Sequence, residues 1–170
     1  MSDFFMPIVS ITFSQSMQKA FTLIELLVVF SLIGLLTALG IASYSSYNAT
    51  QSVQSSANDL ATFLQTAESR SISQVVPSSC SNPVTGYEVD VTPNGKQYTL
   101  FAVCGLKQVI TTNQLPSNVS FTGASDPSVV FAISSGVVIT PKITPATISI
   151  AGYGKSKTIR VSGTGIVAIN

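Results

Sequence analysis

Apolar and polar positions follow three different rules along this chain. Over residues 21–44 there is no alternation: the run is apolar apart from Ser, Thr and one charged side chain, Glu25. Further on, apolar residues recur mostly every three or four positions, at Val53, Ala57, Leu60, Leu64, Ala67, Ile72 and Val75, with Gln, Ser and Asn between them. That spacing is one face of a helix. It predicts that the apolar run and the amphipathic stretch form one helix reaching about Gln74, stopped ahead of Pro77. After Pro77 the rule changes again, to short β-branched or aromatic runs bounded by turn residues.

Those runs are 87–91, 97–104, 108–112, 118–123, 128–133, 136–140, 146–151, 157–162 and 165–170. Asn94-Gly95 is a strong hairpin turn, because both residue types tolerate positive φ. Residues 134–136 and 162–165 read as further turns. The expected fold class is α+β: a long N-terminal helix, membrane-spanning in its first half, packed on an antiparallel β-sheet domain. The segments are then 1–20, a leader; 21–44, the apolar half of the helix; 45–76, its amphipathic half; and 77–170, a β-rich globular domain.

As a helix, the run over 21–44 is about 35 Å long, enough for a hydrocarbon core of about 30 Å. Lys19 is the only basic residue before Arg70. The positive-inside rule therefore puts the N-terminus in the cytoplasm and the bulk of the chain across the membrane. A cleaved secretory signal would end near Ala42 and Ser43, but the run is long for one and contains a carboxylate. Such a group costs a few kcal/mol near the bilayer centre and less near the headgroups. It calls for a positive partner.

Composition narrows the function. The formal net charge is +1 and 9% of residues are charged, which argues against a nucleic-acid binder driven by bulk charge. No histidine is present, so the commonest general base and metal ligand is missing. Cys80 and Cys104 are too far apart for a C-x-x-C pair. They form a single disulfide if the domain lies outside the cytoplasm, or else two buried thiols. The stretch Gly152 to Ser156 ends like a P-loop, but Ser149 replaces the first glycine and a strand follows, so a tight turn is the better reading. Lys155, Lys157 and Arg160 form the one basic cluster, a possible DNA contact or a solvated edge. Glu88 and Asp90 share a strand face and read as surface charges. No catalytic constellation, cofactor site or metal site is apparent.

The stretch KAFTLIELL, residues 19–27, resembles the leader junction of type IV pilins and of type II secretion pseudopilins. The resemblance implies a cut by a prepilin peptidase between Ala20 and Phe21, N-methylation of Phe21, and a role for Glu25 in subunit assembly by neutralising a neighbour's terminal amine. Ala20 stands where the family usually has Gly, and translation from Met1, Met6 or Met17 would give leaders of different length. Residues 59–74, 129–139 and 157–170 more loosely resemble the GspH/FimT-type minor pseudopilins and minor pilins. The implied partners are other pilins or pseudopilins, the peptidase, an inner-membrane assembly platform and membrane lipid. Gly34 and Gly40 are places where the helix loosens on assembly or packs closely on its neighbours. DNA-binding members of this branch carry Gly-Arg-x-Arg in the last strand, whereas residues 165–168 here lack both arginines. The rival readings are a DNA-capturing minor pilin and a plain signal-anchored envelope protein.

Overall fold

The computed structural model describes residues 21–123, 126–139 and 145–170. The expected leader, 1–20, with Ala20 and Lys19, and Thr140 at the end of one expected strand lie outside the described residues. The chain divides into two compact units, residues 1–41 and 42–170. One helix, α1 (Leu23–Ile72), begins in the first and ends in the second, running through Gly34 and Gly40.

The helix starts where Thr22 caps it: the Glu25 amide donates to Thr22 Oγ1 at 3.3 Å and the Leu26 amide to the Thr22 carbonyl at 3.2 Å. It stops five residues before Pro77 by a different device from proline itself. Gln74 takes a left-handed φ of 50°, its amide donates to the Ser71 carbonyl, and the Val75 amide donates to the Arg70 carbonyl. This paired arrangement satisfies the last helical carbonyls, with Gln in the place that usually holds Gly.

Eight strands follow among the described residues: β1 (Gly86–Val91), β2 (Gln97–Cys104), β3 (Leu106–Gln114), β4 (Val119–Phe121), β5 (Ser128–Ala132), β6 (Ala146–Gly152), β7 (Lys155–Val161) and β8 (Val167–Ile169). They make two four-stranded antiparallel sheets, ordered β3-β2-β1-β5 and β4-β6-β7-β8. Alternation along the strands puts Tyr87, Val89 and Val91, Tyr98, Leu100 and Ala102, and Ile148 and Ile150 into one core. Val53, Ala57, Leu60, Phe63, Leu64 and Ala67 of α1 close that core. Aromatic edges lock the layers: Phe63 meets Tyr98 at 4.8 Å between centroids, and Tyr98 meets Phe121 at 6.1 Å.

Three sequence expectations change. The helical stripe ends at Ala67, since Ile72 is 50% and Val75 41% exposed. The buried position one turn beyond Ala67 is Ser71, whose hydroxyl donates to the Glu68 carbonyl and whose own carbonyl accepts the Ser134 amide. A five-residue step from Ala67 to Ile72 rotates the side chain off the face. The segment expected over 136–140 contributes only a single bridge, Val138 to Phe131, within its described part. The strand expected over 108–112 is longer, Leu106–Gln114.

The turns follow their residue chemistry. The turn expected on Asn94-Gly95 is centred one residue earlier, on Pro93-Asn94: Asn94 takes φ 57°, Gly95 does not take a positive φ, and the Gly95 amide closes on the Thr92 carbonyl. The P-loop lookalike is a two-residue hairpin: Tyr153 and Gly154 both have positive φ, joining β6 to β7 where Gly152 pairs with Lys155. Cys80 and Cys104 form a disulfide with Cα atoms 5.9 Å apart, tying the loop after the helix to the end of β2.

Candidate functional site

The first half of α1 has a mean hydropathy of 2.4 over its most apolar window, with none of that window buried within the chain. Phe21, Leu23, Ile24, Phe30, Leu35 and Leu36 are each more than 60% exposed. Burying one such side chain is worth about 1.5–3 kcal/mol, so this surface belongs in lipid or against other apolar helices. The polar groups along it are silenced locally. Ser31 Oγ donates to the Val28 carbonyl at 2.8 Å and Thr37 Oγ1 to the Ile33 carbonyl at 2.7 Å.

Glu25 is the exception. It sits in the first turn, three residues after the Thr22 cap, in the sequence pattern of a capping box. That pattern was readable in Thr22-Leu-Ile-Glu25 as a helix-start signal, beside its resemblance to a leader junction. Among the described residues no cation pairs with the Glu25 carboxylate: the only ion pairs there are made by Lys107. Phe21, the expected new N-terminus, lies one residue before the cap and is 76% exposed.

In the β-domain the polar residues separate into two groups. Glu88 and Asp90 do share a face of β1, but Glu88 is no surface charge: it is 7% exposed. Lys107 Nζ bridges Glu88 Oε1 at 2.7 Å and Asp90 Oδ2 at 3.3 Å, and Ser128 Oγ donates to Glu88. Burial pushes the Glu88 carboxyl up, yet the hydrogen bonds from Lys107 and Ser128 outweigh it and leave the group below its ordinary value. Burial raises Asp90, and repulsion from Glu88 adds to that. The bond to Glu88 raises Lys107. Sequence reading missed Lys107 and Ser128, because nothing short of strand register places them beside Glu88.

Lys155, Lys157 and Arg160 are all on β7. Lys155 and Lys157 alternate with Ser156, sharing a face as expected. Arg160 neighbours buried Ile159 and Val161 and therefore lies on the opposite face from both lysines. The expected three-cation cluster is thus split by the pleat.

Comparison with known proteins gives this geometry a context. The Prokaryotic N-terminal methylation motif matches residues 15–41, which contain Ala20, Phe21 and Glu25. The family described as Type II transport protein GspH matches residues 56–165. The chain belongs to the GspH family. Two fimbrial proteins of Pseudomonas aeruginosa are each 30% identical to it over 122 residues, 71% of this chain and 77% of theirs. Two solved structures of the minor pseudopilin EpsH of Vibrio cholerae share the fold. One has a TM-score of 0.50 at 14% identity, covering 70% of this chain and 93% of that one. The other has a TM-score of 0.51 at 13% identity, covering 69% and 94%.

This GspH-family chain is a minor pilin or pseudopilin, a structural subunit with an N-terminal methylation motif over residues 15–41. Its N-terminal helix is long and apolar enough to cross a membrane. The GspH match takes in α1 from Ser56 onward and strands β1 to β7, and ends at Gly165, ahead of β8. The methylation motif covers the exposed apolar run. The change from exposed to buried side chains along α1, at Val53, falls in the stretch between the two matches.

Proposed function

We propose that a prepilin peptidase cuts this chain between Ala20 and Phe21 and methylates the Phe21 amine. The chain then passes from the membrane, by way of an inner-membrane assembly platform, into a type IV pilus or a type II pseudopilus. Before the cut the N-terminus lies in the cytoplasm and the β-domain outside it. In the assembled filament the exposed half of α1 packs on its neighbours, and Glu25 pairs with the Phe21 amine of another subunit. The observation that carries this reading is a lone carboxylate in the first turn of an exposed apolar helix, with no cation partner among the described residues.

The test is the intact mass and N-terminus of the protein from its native cells, followed by shearing and fractionation of two variants. The expected chain begins at N-methylated Phe21. Glu25→Ala and Glu25→Gln are expected to be cut but to stay in the membrane fraction. Glutamine keeps the capping chemistry and loses the charge, so it separates a helix cap from an ion pair. An uncut native chain, or normal assembly of Glu25→Gln, would overturn the proposal.

A further inference from the structure

Each sheet has two edges, and among the described residues one of the four is open along a useful length. β4 and β8 are three residues each. The outer side of β5 is engaged: the Ala132 amide donates to the Val137 carbonyl, and the Ile139 amide to the Val130 carbonyl. β3 is nine residues long and flanks only β2. An irregularity in its pairing at Leu100/Phe101 leaves the Thr111–Gln114 half in regular register with β2.

The hydrogen-bond phase of that half is fixed by one contact. The Leu115 amide donates to the Lys96 carbonyl at 2.8 Å, so Leu115 turns its backbone toward β2. By alternation Asn113 and Thr111 do the same, and Thr112 and Gln114 turn theirs away. Among the described residues nothing bonds the outward amides and carbonyls of Thr112 and Gln114. Lys107 is the only charged residue on the strand, and it is committed to Glu88 and Asp90. Charged side chains, a common protection of sheet edges, are absent from Thr111–Gln114.

Beside this edge lies a groove of about 450 Å³ between β3 and α1. Asp59, Thr62 and Thr66 form its helix wall, Asn113 its strand wall, and Phe63 and Tyr98 its floor. Asn113 pairs with Tyr98, a core-facing residue, so its side chain is on the helix side of the sheet. A strand added along β3 would place the residue opposite Asn113 on that same side, over the groove. The charge there is the Asp59 carboxylate, which is exposed and makes no ion pair among the described residues. A cation is its electrostatic complement, and the aromatic floor favours one too.

We propose that β3 accepts an extended segment of another polypeptide as a fifth strand of its sheet, with a Lys or Arg opposite Asn113 reaching Asp59. Thr112 and Gln114 supply the main-chain bonds and the groove supplies selectivity. This contact is separate from the helix packing proposed above and does not depend on processing or on Glu25.

The test uses the full chain in detergent micelles and a labelled, end-blocked peptide, Thr-Val-Thr-Lys-Thr-Val-Thr, read by fluorescence anisotropy. Saturable binding is expected. It should weaken about tenfold, the equivalent of about 1.4 kcal/mol, when norleucine replaces the lysine or when the protein carries Asp59→Asn. N-methylation of the two threonines flanking the lysine should abolish it. Gln114→Pro removes one outward N–H at an edge position that tolerates proline, and should abolish binding with the thermal melt unchanged. If that variant melts early, the N-methylated peptide decides, since it leaves the protein untouched. No saturable binding of the parent peptide up to millimolar concentration overturns the proposal. So does binding that survives N-methylation, or binding indifferent to both Asp59→Asn and norleucine.

Discussion

Reducing the Cys80–Cys104 bridge should cost the β-domain several kcal/mol, and the size follows from the loop it closes. The two residues are 24 apart in sequence. With a closed loop of about 25 residues, the chain-entropy expression gives about 3.5 kcal/mol, through the freedom denied to the unfolded chain. The folded state gains little extra constraint. β1 and β2 already pair from Gly86 with Val103 onward, and the Thr85 amide already donates to the Val103 carbonyl. The expectation is therefore a change in stability with little change in structure. The unit over 42–170 has an unfolding entropy of about 270 cal/mol/K at about 2.1 cal/mol/K per residue, so the shift in Tm is about 10–13 °C. Near-ultraviolet circular dichroism suits the measurement, because Tyr87 and Tyr98 are buried and the chain has no tryptophan. Oxidised chain and reduced, thiol-blocked chain would be melted side by side, with Cys80→Ser/Cys104→Ser as a third sample. Melts that coincide within about 2 °C would refute the loop argument at this site.

Two further predictions test the interior. Glu88→Gln should destabilise by about 1–3 kcal/mol in urea titrations near neutral pH, since it strips a nearly buried group of its ion pair with Lys107. The Glu88 carboxyl lies below its ordinary value of 4.5, so its contribution is present above that value and is lost as pH falls through the folded-state value. Asp90 is raised and opposes this, because protonating it relieves repulsion from Glu88. Wild type should therefore lose more stability than Glu88→Gln below pH about 4.5; equal acid slopes would contradict the assignment. Leu64→Ala, at a fully buried position of α1, should cost about 2–5 kcal/mol. Ile72→Ala, half exposed, should cost under about 1 kcal/mol. Comparable losses from the two would mean that the buried stripe extends beyond Ala67.

What the sequence revealed of the fold tracks how local each signal is. The apolar run, the helical spacing from Val53 to Ala67 and the hairpin at Tyr153-Gly154 are set by neighbours a few residues away, and all were legible. The helix end was legible only as an approach to Pro77. The stop itself is Gln74 in a left-handed conformation, an uncommon choice for a residue with a side chain. The division into two sheets was not legible, because alternation fixes which residues face inward but not which strand lies beside which. For that reason Glu88 read as a surface charge: its burial comes from Lys107 on β3 and Ser128 on β5, 19 and 40 residues away. The split of Arg160 from Lys155 and Lys157 needed only the parity of their spacing, and sequence alone contained it.

Glu25 has two physical explanations, and their magnitudes separate them. As a first-turn carboxylate it interacts well with the helix N-terminus, a term worth about 0.3–1 kcal/mol at an exposed site. Placing a carboxylate at the centre of a membrane helix costs about 2.5–3.5 kcal/mol, and even near a headgroup layer part of that cost remains. The cap therefore offsets only a fraction of the cost that remains. An uncharged Gln would complete the same box with Thr22, giving up the charge–dipole term but avoiding the larger cost. Under the assembly proposed above, a cation of another subunit accounts for a charge at this position in an otherwise neutral apolar run. In the assembly proposed here that cation is the Phe21 amine of another subunit, available only once the leader has been removed. In that proposal assembly depends on processing for an electrostatic reason.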